Sequence, residues 1–239
     1  MPHAIGGFLY EEKIFNIMDS IGLIPKDFKS TAGSSAVDPD IVIDIGGKKV
    51  NIEIKQNIKA QSGGTSIKYS RGNKLELVKE LSCLTNKDVN DKLSNHIRNL
   101  DSLLDFFEKE KIPFTTTKEK WINAVEKGII KSATTRIESS TDFIEDHYAS
   151  KNVNYIQFGM HGLFYMKKDI MNLGVPRLSG NVVLEIRPTR NGSNLNRHGI
   201  RVCNGSLRVQ ARIKNVKKSN VSLENGNEFL DLVNKLKWK

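Results

Sequence analysis

The sequence contains little cysteine, little proline and no long run of apolar residues. Its 239 residues include two Cys, five His and six Pro. Cys83 and Cys203 lie far apart in unlike contexts, so a disulfide is unsupported, and scattered His residues do not give the spacing of a zinc site. No apolar stretch approaches the length of a membrane span, and no charged start followed by an apolar stretch marks a signal peptide. We therefore expect an intracellular protein of a reducing compartment, cytoplasmic or nuclear, and not a secreted one.

The chain also has fewer acidic than basic residues. The chain has 37 Lys and Arg against 27 Asp and Glu, which gives a formal net charge of +10. Such a surplus favours a polyanionic partner, nucleic acid first and an acidic membrane surface second. Hydrophobic residues make up 38% and charged residues 27% of the chain, as in soluble globular proteins. We therefore expect DNA, duplex or branched, as the partner rather than a membrane.

The most informative segment is a β-hairpin predicted over residues 38–55. Two runs rich in Val and Ile flank Gly46-Gly47, and a glycine pair between such runs is a strong signal for a two-residue turn. A turn at this place pairs residues whose numbers sum to 93, so Asp40 lies opposite Glu53. Because side chains alternate along a strand, one face of the hairpin is entirely apolar and consists of Ile41, Ile43, Ile45, Val50, Ile52 and Ile54.

The other face of the hairpin carries two carboxylates directly opposite each other, with an amine nearby. Asp40 lies opposite Glu53, and Lys55 follows two residues further along the strand. Like charges placed opposite each other destabilise a sheet by up to roughly 1 kcal/mol. A bound divalent cation would offset this repulsion, because Mg²⁺ is held by one or two carboxylates together with water and phosphate oxygens. The alternative is an ordinary amphipathic hairpin with a solvated polar face.

Pro39-Asp40 followed by Glu53-Ile54-Lys55 resembles the short motif of the PD-(D/E)XK nuclease superfamily. The wider order is a Glu on a helix, a loop with Gly and Ser, Pro-Asp-Ile, a glycine turn and Glu-Ile-Lys. It is similar to the N-terminal half of archaeal Holliday junction resolvases and to restriction-type and phage nucleases, over about residues 7–56. The resemblance implies an α/β (α+β) fold with a restriction-endonuclease-like core. In that fold helices flank a central mixed sheet, extended here by a helical insertion and a β-rich C-terminal part.

The resemblance also implies hydrolysis of DNA phosphodiester bonds with Mg²⁺, for which Mn²⁺ can substitute. Asp40, Glu53 and the backbone carbonyl of Ile54 would then hold the ion. A bound metal lowers the pKa of an attacking water. Lys55 would orient or deprotonate this water, or neutralise charge in the transition state.

A further carboxylate lies on the first predicted helix. Apolar residues recur at helical spacing from Gly7 to Ile21, and Gly22 fits a helix stop. Glu11 and Glu12 lie in the first or second turn, where the helix dipole favours acids, and this explanation is sufficient alone. Many superfamily members carry a Glu that reaches the metal site in a Gly-Xaa-Xaa-Xaa-Glu context, which is the spacing from Gly7 to Glu11. The resemblance therefore implies that Glu11, rather than Glu12, is a further catalytic residue and metal ligand.

We predict three segments along the chain. Residues 1–82 form a nuclease core of helix, hairpin and following helix, residues 83–150 a helical region, and residues 151–239 a β-rich lobe packed on the core as one domain. Residues 1–6 are predicted as a loop. Apolar spacing predicts further helices at 75–81, 89–110, 118–127, 141–148 and 224–238. Strands are predicted at 153–158, 163–166, 182–187, 199–203 and 206–213, the last two joined by a hairpin turn at Asn204-Gly205.

Two groups of basic residues are predicted to contact DNA, because Lys and Arg neutralise phosphates and the planar guanidinium suits phosphate and guanine. The first group follows the hairpin in a glycine-containing loop and its surroundings and consists of Lys59, Lys68, Arg71 and Lys74. The second lies in the C-terminal strands, the last of which alternates polar and apolar residues, and consists of Arg187, Arg190, Arg208 and Arg212. For either group the alternative is a solvated basic surface.

The expected function is that of a Mg²⁺-dependent DNA endonuclease of restriction or phage type. A homodimer is expected, because cutting both strands takes two sites. A Holliday junction resolvase agrees with the motif order, although this chain is much longer than the compact resolvases. The alternative of another class is a DNA-binding module with a nuclease-like fold and no catalysis. Cleavage of RNA is a further alternative, because no feature of the sequence distinguishes ribose from deoxyribose.

Overall fold

The computed structural model describes residues 2–28, 38–70, 74–77, 91, 93, 95–97, 115–139 and 142–236. In these residues the chain is a mixed α/β protein. None of the helices in these ranges is both long enough and apolar enough to cross a membrane. The chain divides into two compact units. The first unit takes residues 1–60, 140–181 and 213–239, and the second unit takes residues 61–139 and 182–212.

The helices and strands alternate along the chain. In order they are α1 (Pro2–Ser20), β1 (Ile41–Ile45), β2 (Lys48–Lys55), β3 (Gln61–Ser70), β4 (Lys74–Leu77), β5 (Thr115–Thr117), α2 (Lys118–Glu126), α3 (Ile129–Ser132), β6 (Thr135–Ser139), α4 (Asp142–Ser150), β7 (Tyr155–Phe158), β8 (Gly162–Tyr165), β9 (Asn181–Leu195), β10 (Arg201–Lys214) and α5 (Gly226–Leu236). Residues 91, 93 and 95–97 are also helical. The domain boundaries predicted at residues 82 and 150 stay predictions, because compactness does not show which segment folds alone.

The predicted hairpin is confirmed in both its turn and its register. β1 and β2 pair antiparallel, with Ile41 opposite Ile52 and Ile45 opposite Lys48. Gly46 and Gly47 have φ of 63° and 83°, the positive values that a two-residue hairpin turn requires. All six apolar side chains of the core face are at most 2% exposed. β2 also pairs in parallel with β7, which pairs antiparallel with β8, so the sheet order is β1-β2-β7-β8.

Two helices contribute to the core of the first unit, together with the apolar face of this sheet. Ile14 and Met18 of α1 are fully buried, as are Phe229 and Val233 of α5, which was predicted over residues 224–238. α1 ends before Gly22 as predicted, where φ is 73°. The helix begins at Pro2, so the prediction of a loop over residues 1–6 is wrong. Proline suits a first helical turn because its missing N–H would have no intrahelical partner there.

The second unit contains a six-stranded sheet. Its order is β4-β3-β10-β9-β6, and β5 pairs with another part of β10. The helix predicted at 118–127 is confirmed as α2. The helix predicted at 75–81 is wrong for residues 75–77, which belong to β4, and its remaining residues lie outside the described ranges. Residues 135–139, in the predicted helical region, form β6.

The hairpin turn predicted at Asn204-Gly205 is wrong. β10 runs through these residues, and Asn204 pairs with Thr115 of β5. The chain reverses instead between β9 and β10. There the Oδ1 atom of Asn196 accepts hydrogen bonds from the backbone N–H groups of His198 and Ile200. A partner strand from elsewhere in the chain thus overrides the local turn preference.

Candidate active site

Asp40, Glu53 and Lys55 lie together in the first unit, at the open end of the β1–β2 hairpin. Asp40 directly precedes β1, whereas Glu53 and Lys55 lie near the end of β2. The Oδ2 atom of Asp40 accepts a hydrogen bond of 2.6 Å from the backbone N–H of Ile54. This bond lies directly beyond the last strand pair at this end of the hairpin, Ile41 with Ile52. It holds the Asp40 carboxylate beside Glu53.

The backbone of Ile54 is oriented towards Asp40. In a strand the N–H and C=O groups of one residue point to the same side. Because the N–H of Ile54 donates to Asp40, its carbonyl faces the same side of β2. The carbonyls of Asn51 and Lys55 point to the other side of β2, because they accept hydrogen bonds from the backbone N–H groups of Asn154 and Gly159. The predicted backbone ligand is thus on the side where the carboxylates lie.

The carboxylates at this place repel each other. The pKa of Asp40 is raised to about 7, first by burial and then by the negative charge of Glu53, with a smaller contribution from Glu11. Lys55 and the N–H of Ile54 act in the opposite direction. Glu11 on α1 is therefore close enough to influence Asp40, and its Oε2 atom is buried. The structure brings the four predicted side chains into one electrostatic cluster.

Lys55 forms an ion pair with Glu53 that is largely shielded from water. The Nζ atom of Lys55 donates to Oε1 of Glu53, and the two side chains are 19% and 7% exposed. Burial by itself would lower the pKa of Lys55, but Tyr148, Glu53 and Asp40 raise it above its usual range. Lys55 is therefore protonated at neutral pH, which favours a role in neutralising charge over one as a base.

Tyr148 is a residue of this site that the sequence analysis missed. It lies on α4 and is 2% exposed, and it acts on the pKa of Lys55. The helix was predicted at 141–148, but the influence of Tyr148 on Lys55 joins segments that are distant in sequence. No local pattern signals such proximity, because an apolar stripe explains a buried Tyr equally well.

The donor atoms fit a hydrated Mg²⁺ rather than a closed protein cage. Across the described ranges, no three side chains of His, Cys, Asp and Glu form a group that could hold a metal ion. Mg²⁺ keeps several waters and takes only one or two carboxylates from a protein. Asp40 and Glu53, with the carbonyl of Ile54, meet this lower requirement. The pKa of Asp40 is raised first by burial and then by the charge of Glu53, and a bound cation would offset both effects.

The first group of predicted DNA-binding residues does not form one loop beyond this site. Lys59 is exposed in the turn after β2. Lys68 and Lys74 belong to strands β3 and β4 of the second unit, and Arg71 lies outside the described ranges. The prediction of a glycine-containing loop over this region is wrong for residues 61–70, because β3 pairs with both β4 and β10.

The second group is brought together in part. Arg187, Arg208 and Arg212 interact on one face of the six-stranded sheet, whereas Arg190 is exposed and alternation places it on the opposite face of β9.

Chemically, the cluster of the first unit combines two crowded carboxylates, a backbone carbonyl and a protonated amine, which suits a divalent cation and an anionic substrate.

Compared with protein-family models, curated proteins and solved structures, the chain gives no match in any of the three.

Proposed function

We propose that this protein is a Mg²⁺-dependent DNA endonuclease of restriction or phage type, built on a restriction-endonuclease-like core. The observation that carries the proposal is the convergence of Asp40, Glu53 and Lys55, with Glu11 nearby, at a partly buried end of the hairpin. A structural ion pair between Lys55 and Glu53 would need no second carboxylate. Asp40 adds a second buried carboxylate instead, and burial together with the charge of Glu53 raises its pKa to about 7. Residues kept at the expense of stability are typical of functional sites.

The chemistry assigns one role to each group. Asp40, Glu53 and the Ile54 carbonyl would hold Mg²⁺, which when bound polarises the phosphoryl group and lowers the pKa of an attacking water. Lys55, protonated, donates hydrogen bonds to a non-bridging phosphate oxygen and stabilises the charge that develops in the transition state. Glu11, on the Asp40 side of the cluster, accepts a hydrogen bond from the attacking water and orients it.

Incubation with supercoiled plasmid and Mg²⁺, with EDTA as control, tests this function. We expect nicked or linear DNA only when the metal is present. Discrete fragments from phage DNA would indicate a restriction-type enzyme, whereas paired nicks in a four-way junction with little cutting of linear duplex would indicate a resolvase. If neither Mg²⁺ nor Mn²⁺ supports cleavage of plasmid, junction or single-stranded DNA, the nuclease proposal is wrong.

Metal binding should be visible as stabilisation, independently of activity. A ligand at 100 times its Kd stabilises the folded state by about 2.7 kcal/mol, so we expect saturating Mg²⁺ to raise the Tm of the wild type. The rise should be larger at pH 8 than at pH 6, because Asp40, with a pKa of about 7, must lose its proton to bind the ion.

Asp44→Asn is the matched control for this measurement. Asp44 lies on the same hairpin but accepts a hydrogen bond from the backbone N–H of Gly47 in the turn. Mg²⁺ should raise the Tm of Asp44→Asn as in the wild type and leave that of Asp40→Asn unchanged. An equal rise in both variants would show that the ion binds elsewhere.

Glu11→Gln and Glu12→Gln separate the two neighbouring acids of α1. Glu11 is half-buried and acts on Asp40, whereas Glu12 is exposed. Outer residues of a metal site typically contribute 10- to 100-fold to activity. We therefore expect Glu11→Gln to slow plasmid cleavage by about this factor and Glu12→Gln to cleave like the wild type. Equal rates for the two variants would exclude Glu11 from the site.

A further inference from the structure

A hydrogen-bonded network of arginines occupies the polar face of the six-stranded sheet in the second unit. Glu185 on β9 accepts at Oε1 from Nε of Arg136, at 3.1 Å, and at Oε2 from Nε of Arg212, at 2.9 Å. Nη2 of Arg212 also donates to Oε1 of Gln210, at 3.2 Å. The network connects β6, β9 and β10, and both carboxylate oxygens of Glu185 are already engaged.

Arg187 adds a positive charge to this face that the network does not balance. It follows Glu185 by two residues and so lies on the same face of β9. Its Nε atom is buried and has no hydrogen-bond partner among the residues that the structure describes. Burial lowers the pKa of Arg187, and the charges of Arg212 and Arg208 lower it further, while Glu185 opposes them. Arg187 is therefore a half-buried guanidinium close to two others, and its Nε–H has no acceptor among the described residues.

The face around Arg187 carries a surplus of arginines. On the neighbouring strand β3, Gly64 lies opposite Gln210 and Ser66 lies opposite Arg208, so small residues adjoin the row of β10. Arg208 is exposed, whereas Gln210 is buried. Alternation also places Glu138 of β6 on this face, which gives four arginines against two glutamates among the side chains that the structure describes. The other face of β10 is apolar and buried and consists of Leu207, Val209, Ala211 and Ile213.

We propose that this sheet face binds the sugar–phosphate backbone of nucleic acid, with a phosphate held by the guanidinium groups of Arg187 and Arg208 beside Arg212. The choice of nucleic acid as the polyanion rests on the proposed function. Burial and two neighbouring positive charges disfavour the charged form of Arg187, and Glu185, which opposes them, already accepts from Arg136 and Arg212. A phosphate would add negative charge to this face, and the guanidinium fork matches its geometry.

Such a surface binds DNA without metal and without sequence preference. Phosphate contacts position a protein on DNA but carry no sequence information. Each one releases counterions, so the logarithm of the binding constant falls with the logarithm of salt concentration by about 0.9 per contact with duplex DNA. The second unit would thus hold the substrate whether or not the cluster around Asp40 is loaded with Mg²⁺.

The test is binding of the full-length protein, in EDTA, to a fluorescein-labelled duplex of mixed sequence, followed by anisotropy at several salt concentrations. The variants are Arg187→Gln, Arg208→Gln and the double variant. Arg190→Gln is the control, because the structure separates Arg190 from the other three arginines of its predicted group and places it on the opposite face of β9. Loss of two phosphate contacts should reduce the salt slope of the double variant by about 2 and raise its Kd at least about tenfold at low salt. Arg190→Gln should keep the wild-type slope and a Kd within about threefold of the wild-type value.

Melting temperatures separate loss of the contact from loss of the fold. Arg187→Gln should melt at or above the wild-type Tm, because it removes an unbalanced buried charge. Arg208 is exposed, so its substitution tests the surface even if Arg187→Gln is unstable. A wild-type Kd and slope in Arg208→Gln and the double variant would overturn the proposal. Equal weakening by Arg190→Gln would do so as well, since binding would then follow total charge alone.

Two further measurements distinguish the alternatives. Vesicles of phosphatidylserine and phosphatidylcholine serve as the competing anionic surface, and arginine-dependent binding to vesicles but not to duplex would overturn the assignment to nucleic acid. Plasmid cleavage is measured in parallel. Absence of cleavage with normal arginine-dependent binding would contradict only the proposal that the protein is a nuclease. Normal cleavage with binding that does not depend on these arginines would contradict only the proposal that this sheet face binds nucleic acid.

Discussion

Asp40→Asn and Lys55→Ala are each expected to reduce Mg²⁺-dependent plasmid cleavage by at least about 10²–10³-fold, the loss typical for removal of one group that stabilises transition-state charge. Asp40→Asn removes a proposed metal ligand. It keeps an oxygen that can accept from the N–H of Ile54, where Asp40 now accepts at 2.6 Å. The hairpin end should therefore persist, and the far-UV circular dichroism spectrum should match that of the wild type.

Lys55→Ala removes the positive charge that would face a substrate phosphate under this proposal and leaves both carboxylates in place. Glu53 is only 5% exposed, so loss of its ion-pair partner lowers stability as well as activity. For this reason we expect a lower Tm in EDTA and partial recovery in Mg²⁺, where the ion replaces the missing charge. Recovery of Tm without recovery of cleavage would assign Lys55 to catalysis rather than to folding.

Lys49→Ala is the matched control on the same hairpin. The Lys49 side chain is 63% exposed and pairs with Asp27 at 3.4 Å, close to the turn. An exposed ion pair of this kind contributes at most about 1 kcal/mol to stability, so Lys49→Ala should cleave and melt like the wild type. Cleavage that survives both Asp40→Asn and Lys55→Ala would place the active site elsewhere in the chain.

The candidate site could be predicted from the sequence because its main residues lie in one local element. The glycine turn fixes the register of β1 and β2, and alternation then separates the Ile and Val face from Asp40, Glu53 and Lys55. All of this information is contained in fewer than about twenty consecutive residues. The position of Glu11 relative to Asp40 depended instead on a resemblance, because α1 and the hairpin are separated by a loop.

The sequence could not predict contacts that depend on pairing between distant segments. Gly63-Gly64 and Asn204-Gly205 both read locally as turns or loops, yet both lie within strands, because β10 takes partners from β3 and β5. Strand propensity depends on context in this way. The alternation of β10 was predicted correctly, but the role of Glu185 as the acceptor shared by Arg136 and Arg212 follows only from the order of the strands.

Gly159 directly follows β7 and lies beside the end of β2 and Tyr10 of α1. Its backbone N–H donates to the carbonyl of Lys55 at 2.9 Å. A Cβ atom at this position would lie 2.1 Å from the carbonyl oxygen of Gln56 and 3.2 Å from Cζ of Tyr10. Because the nearest atom belongs to the backbone, no side-chain rotation can relieve the clash, and the end of β2 has to move.

Gly159→Ala is therefore expected to impair both stability and cleavage. Overpacking of this kind costs about 1–3 kcal/mol, and a shift of about 1 Å in a catalytic group can reduce a rate about 100-fold. We expect a Tm lower by several degrees and cleavage slowed about 100-fold, measured in Mg²⁺ well below the Tm. Gly7→Ala is the control, since an added Cβ there meets nothing within 4 Å and alanine favours a helix by about 0.5–1 kcal/mol. If Gly159→Ala loses stability but cleaves at the wild-type rate, Lys55 does not need its present position, and its assignment to the site is wrong.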